Sequence, residues 1–177
     1  MPVIGAGGMA VARDLGCNLR RMPPPIALAT YPAPTPDADV ELLTAIARLL
    51  PQLAPGIEPP TRDQLHEVLV ATGTTLIIAR DGSPSGRIVG MLTLSRQRLL
   101  TGVRATIDDV VVDEGARGQG VGAALMREAL RLAKAQGARV VDLTSRPSRE
   151  AANRLYRTLG FTQRETNVYR YTFDGDG

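Results

Sequence analysis

The chain has 177 residues, of which 44 % are hydrophobic and 22 % are charged, with a formal net charge of +3. This length suits one domain with a sizeable core. No apolar run approaches the roughly 18 residues that a transmembrane helix needs, so no membrane partner is expected. The single cysteine, Cys17, excludes an internal disulfide and favours a reducing, cytoplasmic setting. One histidine and one cysteine, far from any cluster, predict no metal site.

The basic residues are twenty arginines against one lysine, Lys134. Arginine suits phosphate recognition, which makes nucleic-acid binding an alternative function. Aromatic residues make up only 3 % of the chain, and tryptophan is absent. A stacking platform for single-stranded nucleic acid is therefore disfavoured, and we expect no nucleic-acid partner.

Residues 1–25 are rich in glycine and proline and are predicted to be a flexible extension ahead of one domain at 26–175. The stretch "GAGGMA" at 5–10 lacks the strand and helix that a dinucleotide-binding loop requires. Apolar spacing then predicts a strand and two helices, at 26–31, 37–50 and 61–71. Asp37 or Asp39 is expected to cap the first helix, and Thr61 the second.

The remaining elements predict antiparallel strands that lead into one strand–helix–strand crossover. In order they are strands at 74–80, 87–95 and 105–112, a helix at 121–136, a strand at 139–144, a helix at 148–159 capped by Ser148, and a closing strand at 166–173. The segment 96–102 is predicted to be a loop. This order indicates an α/β (α+β) fold with a mixed sheet.

Three glycines in the stretch Arg117–Gly122, namely Gly118, Gly120 and Gly122, lie where the helix at 121–136 begins. A helix N-terminus offers unpaired N–H groups to an anion, and glycines allow the main chain to approach it, so the stretch is a candidate pyrophosphate site. No Lys-Ser/Thr pair follows, which excludes a P-loop. No ribose-binding acid follows in the expected context, which disfavours a nicotinamide cofactor. The alternative is a tight turn whose glycines serve packing alone.

The stretch "VDEGARGQGVGAAL" at 112–125 resembles the Arg/Gln-x-x-Gly-x-Gly/Ala motif of the GCN5-related N-acetyltransferases (GNAT family). The stretch "ANRLYRTLGF" at 152–161 is similar to the Leu-Tyr-x-x-x-Gly-Phe ending of that family. The resemblance covers about residues 26–173. It implies a mixed, mostly antiparallel sheet flanked by helices, with a splayed central strand pair, and acetyl-CoA as the cofactor.

The resemblance also implies the cofactor-binding residues. The pantetheine arm would pair with the backbone of one strand, at Val110, Val111 and Val112. The pyrophosphate would lie on the glycine loop, which consists of Arg117, Gly118, Gln119, Gly120, Val121, Gly122 and Ala123. Many members carry an asparagine where this chain has Arg149. Asn153, one helical turn along, is the candidate substitute, although it could equally be a solvated helix residue.

Tyr156 matches the tyrosine that serves the family as the acid for the leaving thiolate. Its alternative is a core position, since it shares a helix face with Ala152 and Leu159. Asp108 and Asp109 interrupt an apolar strand that is similar to one in glucosamine-phosphate acetyltransferases of that family, where acids lie near the active site. Either aspartate is a candidate to take the proton of the amine.

Strict alternation places the two aspartates on opposite faces of their strand. Ile107 and Val111 would share the face of Asp109, and Val110 and Val112 would share the other face. Which aspartate acts remains open.

The resemblance thus implies an acetyl-CoA-dependent N-acetyltransferase that acts by direct transfer to a primary amine of a small molecule or peptide. The alternative is a catalytically silent acyl-CoA sensor. The helices at 37–71 and the segment 96–102 are expected to wall the acceptor site, because such segments carry specificity. Homodimers are common in that family, and a homodimer is left open.

Overall fold

Five strands form one sheet in the computed structural model, which describes residues 26–31 and 36–173. Of residues 36–39 only the backbone is described. The strands are β1 (Ile26–Thr30), β2 (Thr74–Asp81), β3 (Ile88–Leu99), β4 (Gly102–Val112) and β5 (Val140–Leu143). The helices are α1 (Pro36–Leu53), α2 (Arg62–Val70), α3 (Val121–Ala135) and α4 (Glu150–Thr158), with a short 3-10 turn at Glu114–Ala116.

The strand order follows the chain order, β1-β2-β3-β4-β5. The first three pairs are antiparallel, and β4 pairs with β5 in parallel because α3 carries the chain back between them. The predicted α/β (α+β) fold, a mixed and mostly antiparallel sheet flanked by helices, is confirmed.

Helices cover both faces of the sheet because neighbouring side chains of a strand point to opposite faces. In β2, Ile77 and Ala79 pack into the cluster that contains α3, whereas Leu76 and Ile78 pack into the cluster that contains α1. The amphipathic spacing of α1 and α3 buries one stripe of each helix completely or nearly so. The fully covered residues include Leu42 and Leu49 of α1 and Leu125, Met126, Ala129 and Ala133 of α3.

The observed helix caps agree only in part with the caps that the sequence predicts. Thr61 caps α2 as predicted: its Oγ1 accepts from the Gln64 N–H, and the Gln64 side chain accepts from the Thr61 N–H at 2.9 Å. The prediction for Ser148 is wrong, since Arg149 is the N-cap of α4 and makes no side-chain capping bond. Helix α1 begins at Pro36, so the two predicted caps, Asp37 and Asp39, lie inside its first turns.

Two predicted segments differ from the structure. The predicted loop at 96–102 is the tip of a hairpin, because β3 continues to Leu99 and pairs there with Gly102. The polar side chains of this segment gave no strand pattern, because the pairing depends on backbone hydrogen bonds and not on the side chains. The predicted closing strand at 166–173 is also wrong, since these residues lie in no strand and are exposed. Alternation predicts that a segment fits a sheet but not which edge receives it.

The predicted extension at 1–25 and the "GAGGMA" stretch lie outside the described residues. No helix of the part that is described is long and apolar enough to cross a bilayer. Within residues 26–31 and 36–173, no three His, Cys, Asp or Glu side chains gather as a metal-ion site would require.

Candidate active site

Strands β4 and β5 pair over the first part of β4 and then separate. Their pairing runs from Arg104 with Val140 to Ile107 with Leu143, and β4 then continues to Val112. Residues 108–112 therefore pair with β3 on one side and with no strand of the described chain on the other. The parting agrees with the expected splay, but the pair lies at the end of the described sheet and not at its centre.

A β-bulge interrupts β4 where it parts from β5. The register shifts between Met91 and Thr93, and Asp109 has φ 53, in the left-handed region that aspartate tolerates better than most residues. The extra residue inverts the alternation: Ile107 packs into the α3 cluster, whereas Val111 packs into the α1 cluster. The predicted sharing of a face by Ile107, Asp109 and Val111 is therefore wrong.

The two aspartates next to the bulge differ in their partners. Asp109 Oδ2 accepts a hydrogen bond from Thr93 Oγ1 at 3.1 Å. Partial desolvation, and secondly the negative charge of Asp109, raise the pKa of Asp108 above its usual range. Asp108 still reaches solvent. A carboxylate with a raised pKa beside an open strand edge is a suitable proton acceptor.

The glycine loop at the start of α3 presents unpaired N–H groups. Gly118 and Gly120 have φ 76 and 85, which only glycine adopts without strain, and no atom lies within 4 Å of where their Cβ atoms would be. Gly120 is the N-cap of α3, and no side chain caps this end. The first amides of the helix, at Val121, Gly122 and Ala123, have no intrahelical acceptor. The loop can therefore accept an anion.

The turn before this loop is tied down by α1. Asp113 is 6 % exposed and forms ion pairs with Arg48 of α1 and with Arg87, whose Nη2 lies 3.4 Å from Asp113 Oδ2. Asp113 Oδ1 also accepts from the Gly115 N–H at 3.0 Å, and the Gln52 side chain of α1 accepts from the Glu114 N–H at 2.9 Å. Sequence reasoning missed this cluster; an Asp shortly before a glycine, typical of a side-chain-closed turn, was the one available signal.

Gly122 brings the glycine loop against α4. A Cβ there would lie 3.2 Å from Leu155 Cδ2 and 3.7 Å from Val112 Cγ2, so only glycine allows this close packing of β4, α3 and α4 without displacing neighbours. Tyr156 follows Leu155 and is 6 % exposed, with its ring edge-on to Phe161 at 6.1 Å between centroids. Tyr156 is thus both a core residue and a neighbour of the loop.

Three charged or polar residues lie on or next to α4: Arg149, Asn153 and Tyr156. Burial raises the pKa of the Tyr156 phenol, and the charge of Arg149 partly offsets this. Arg149 Nη2 also lies 3.4 Å from the carbonyl oxygen of Val110, in the gap where β4 leaves β5. The Asn153 amide donates to the Arg146 carbonyl at 2.9 Å and so holds the connection between β5 and α4.

Other predicted residues support the loop locally. Arg117 Nε lies 3.3 Å from the carbonyl of Val112, and Gln119 Nε2 donates to the carbonyl of Gly115 at 3.0 Å. The candidate site therefore combines a loop that can accept an anion, an open strand edge, a buried phenol and two carboxylates. Such a set can hold an extended phosphate-bearing ligand and move protons at one of its ends.

Comparisons with known proteins agree with this geometry. The model of the acetyltransferase (GNAT) family matches residues 42–161. A glucosamine 6-phosphate N-acetyltransferase of Trypanosoma brucei brucei is 40 % identical over 88 residues, which cover 48 % of this chain and 58 % of the relative. An uncharacterised N-acetyltransferase of Methanocaldococcus jannaschii is 38 % identical over 61 residues, 34 % of this chain and 27 % of the relative. The chain thus matches less than two thirds of either relative.

Solved structures give the same fold. A Trypanosoma brucei acetyltransferase superposes with a TM-score of 0.67 at 25 % identity, covering 84 % of this chain and all of that one. An aminoglycoside acetyltransferase from an uncultured soil metagenomic sample, in complex with trehalose, has a TM-score of 0.70 at 20 % identity, covering 84 % of this chain and 95 % of that one. At that identity the likeness concerns the fold alone.

Proposed function

Since the chain belongs to the acetyltransferase (GNAT) family, we propose that it transfers an acetyl group from acetyl-CoA directly to a primary amine. The observation that carries this proposal is the parting of β4 from β5 beside an uncapped helix N-terminus and a buried phenol. We infer that the phosphate site, the open strand edge and the proton donor that these features offer line one groove.

The residues present fit acetyl-CoA. The amides of residues 118–123 and the charge of Arg117 would hold the pyrophosphate, because glycines at 118 and 120 leave its approach free of side chains. The open edge of β4 at Val110–Val112 would pair with the amides of the pantetheine arm. Asn153 would contribute indirectly, by holding the connection between β5 and α4.

Arg149 bears on how that groove accepts its ligand. Its guanidinium contacts the Val110 carbonyl, an acceptor that a pantetheine amide would also use. We infer that the Arg149 side chain moves away from Val110 when acetyl-CoA binds.

Acetyl-CoA supplies a thioester whose carbonyl carbon reacts with amines. The new C–N bond forms as the C–S bond breaks, so one proton must leave the amine nitrogen and one must reach the sulfur. Asp108, directly or through water, would take the first proton, and Asp109 would keep the pKa of Asp108 raised. Tyr156, whose phenol is protonated at neutral pH and whose pKa is raised by burial, would give the second.

The acceptor is proposed as a class. The Trypanosoma brucei relative is named for glucosamine 6-phosphate, and its match of 40 % identity makes amino sugars the first acceptors to test. The face of the sheet that carries α1 and α2 and the hairpin tip of β3 and β4 remain the proposed walls of the acceptor site.

The test is release of free CoA thiol from acetyl-CoA with a panel of amines, alongside calorimetric binding of acetyl-CoA. The panel includes amino sugars and their phosphates, aminoglycosides, polyamines, amino acids and peptide N-termini. Turnover with one class supports the proposal and identifies the acceptor. Binding without turnover on the whole panel would favour the acyl-CoA sensor, and absence of binding would overturn both functions.

A further inference from the structure

One face of the sheet carries polar side chains where the α1 cluster ends. Leu94, Ala105 and Ile107 pack into the α3 cluster, so their neighbours along β3 and β4 point to the opposite face. On that face the α1 cluster includes Met91 and Val111 but no residue from 92 to 110. The polar side chains on this uncovered part, here called the polar floor, are those of Thr93, Ser95, Gln97, Arg104, Thr106 and Asp142.

Strand pairing gives the layout of the polar floor. Counted from the bulge, the facing residues of β4 and β3 are Asp108 with Thr93, Thr106 with Ser95, and Arg104 with Gln97. Asp142 of β5 is the partner of Thr106 on the other side, and its neighbours Val141 and Leu143 face the α3 cluster. At about 3.3 Å per residue, the floor extends about 13 Å along β4 from Asp108, which is enough for a monosaccharide.

The polar floor offers hydrogen-bond donors and acceptors with little net charge. Arg104 Nε donates to Asp142 Oδ2 at 2.8 Å, so these two charges offset each other. Ser95 and Thr106 are half-buried, and their hydroxyls have no hydrogen-bond partner in the part of the chain that the structure describes. A hydroxyl can donate one hydrogen bond and accept others, so both are available to a ligand.

We propose that the acceptor carries hydroxyl groups close to its amine, as an amino sugar does, and that Ser95 and Thr106 bind these hydroxyl groups. The inference rests on the proposed acetyl transfer, because Asp108 at the end of the floor takes the proton of the same molecule. A ligand hydroxyl also both donates and accepts. Neighbouring hydroxyls of a sugar ring can therefore bond to the floor hydroxyls and to the Arg104–Asp142 pair, whose guanidinium donates and whose carboxylate accepts.

Two other classes of amine fit the polar floor less well. An alkyl amine would displace water from Ser95 and Thr106 without replacing its hydrogen bonds. A polyamine would bring a second positive charge toward Arg104, and the nearby Asp142 is already paired. The floor thus selects hydroxylated amines by hydrogen bonds rather than by charge.

Specificity constants for two amines of similar shape test the floor. The hydroxyl preference is kcat/KM for glucosamine, or for its 6-phosphate if that reacts faster, divided by kcat/KM for cyclohexylamine, a ring without hydroxyls. Thr106→Val and Ser95→Ala each remove one hydroxyl and should lower this preference about fivefold, the usual effect of one hydrogen bond. The pKa values of the amines are the same for every variant, so they cancel when variants are compared.

Two further variants separate binding from a structural effect. Thr106→Ser keeps the hydroxyl and should keep the preference. Thr75 is a half-buried threonine of β2 that lies on the opposite face, the face on which Ile77 and Ala79 pack into the α3 cluster. Thr75→Val should leave the preference within about twofold of that of the unmodified chain.

Release of CoA thiol measures the rates, and calorimetry measures acetyl-CoA binding. An unchanged preference in Thr106→Val and Ser95→Ala, an equal fall in Thr106→Ser or Thr75→Val, or a preference for cyclohexylamine in the unmodified chain would each overturn the proposal. So would a chain that binds acetyl-CoA but acetylates neither sugar. A chain that binds no acetyl-CoA would overturn acetyl transfer itself, and the role of the floor with it.

Discussion

Asp109 holds a backbone conformation, φ 53, that residues with a side chain rarely adopt. The conformation belongs to the bulge at which β4 parts from β5, and the charge of Asp109 acts on its neighbour Asp108. A neighbouring negative charge opposes the ionisation of a carboxyl group. Partial burial, and secondly the charge of Asp109, therefore raise the pKa of Asp108.

The pH dependence of catalysis tests this pair. If ionised Asp108 takes the proton, kcat/KM rises as pH increases through its raised pKa. Asp108→Asn should lower kcat/KM by about 10²-fold. Asp109→Asn tolerates the same φ but removes a charge, so the pKa of Asp108 falls and the acidic limb should move to lower pH.

The measurement is the pH profile of kcat/KM for the three proteins with one acceptor. The pKa of the acceptor amine is the same in all three, so a shift reports on the enzyme. An acidic limb that stays in place in Asp109→Asn would rule out the pair as the source of the limb.

The hydroxyl of Tyr156 separates catalysis from packing. Tyr156→Phe keeps the ring against Phe161 in the core and removes only the proposed proton donor. We expect kcat to fall by about 10²-fold, the lower end of the usual effect of a general acid, while the Kd for acetyl-CoA is unchanged. Assays of released CoA thiol measure kcat, and calorimetry measures the Kd for acetyl-CoA. Full activity in this variant would leave Tyr156 with a structural role alone.

At the scale of elements, the glycine loop and α1 act together. Arg48 and Gln52 of α1 hold the turn through Asp113 and Glu114, so the loop is supported by a helix from the opposite face of the sheet. The sequence does not reveal this support, because its members lie far apart along the chain. It depends on how α1 packs.

A pair of matched glycines tests the loop. Gly120 (φ 85) and Gly56 (φ 84) share a left-handed conformation, and at both positions no atom lies within 4 Å of where a Cβ would be. Alanine at either position should destabilise the fold by about 1–2 kcal/mol. Only Gly120→Ala should also weaken acetyl-CoA binding, by about tenfold, because it distorts the proposed phosphate site.

Denaturant unfolding and calorimetry compare the two variants. Equal loss of stability with equal, unchanged affinity would mean that the loop does not bind the cofactor. Both variants carry the same backbone strain, so a difference between their affinities for acetyl-CoA does not come from that strain.

At the scale of the whole molecule, the fold could be predicted more completely from the sequence than the candidate site. Helices α1 and α3 follow from local apolar spacing, and their observed ends lie within a few residues of those predicted. The bulge at Asp109 could not be predicted. One extra residue leaves the alternation of side chains before it unchanged and inverts the alternation after it. The segment 166–173 shows the other limit: its side chains alternate as in a strand, but alternation does not specify which edge of a sheet would receive it.

The domain boundary gives a prediction at this scale. Residues 1–25 are rich in glycine and proline, a composition that predicts an extension outside the domain. A chain that starts at Met22 should therefore keep its Tm within about 2 °C and its kcat/KM within about twofold. Thermal unfolding and the thiol assay measure this. A larger loss would show that residues before 22 belong to the domain.

Gly122 has a consequence for the reach of the groove. The pantetheine arm is a linker of fixed length, so a protein that uses it must keep the phosphate-binding loop and the proton donor a constant distance apart. Here a Cβ at position 122 would lie 3.2 Å from Leu155 Cδ2, in the residue before Tyr156. A methyl group at 122 would require Leu155 to give way by a few tenths of an ångström, so this glycine couples the packing of the loop to the helix that carries the proposed proton donor.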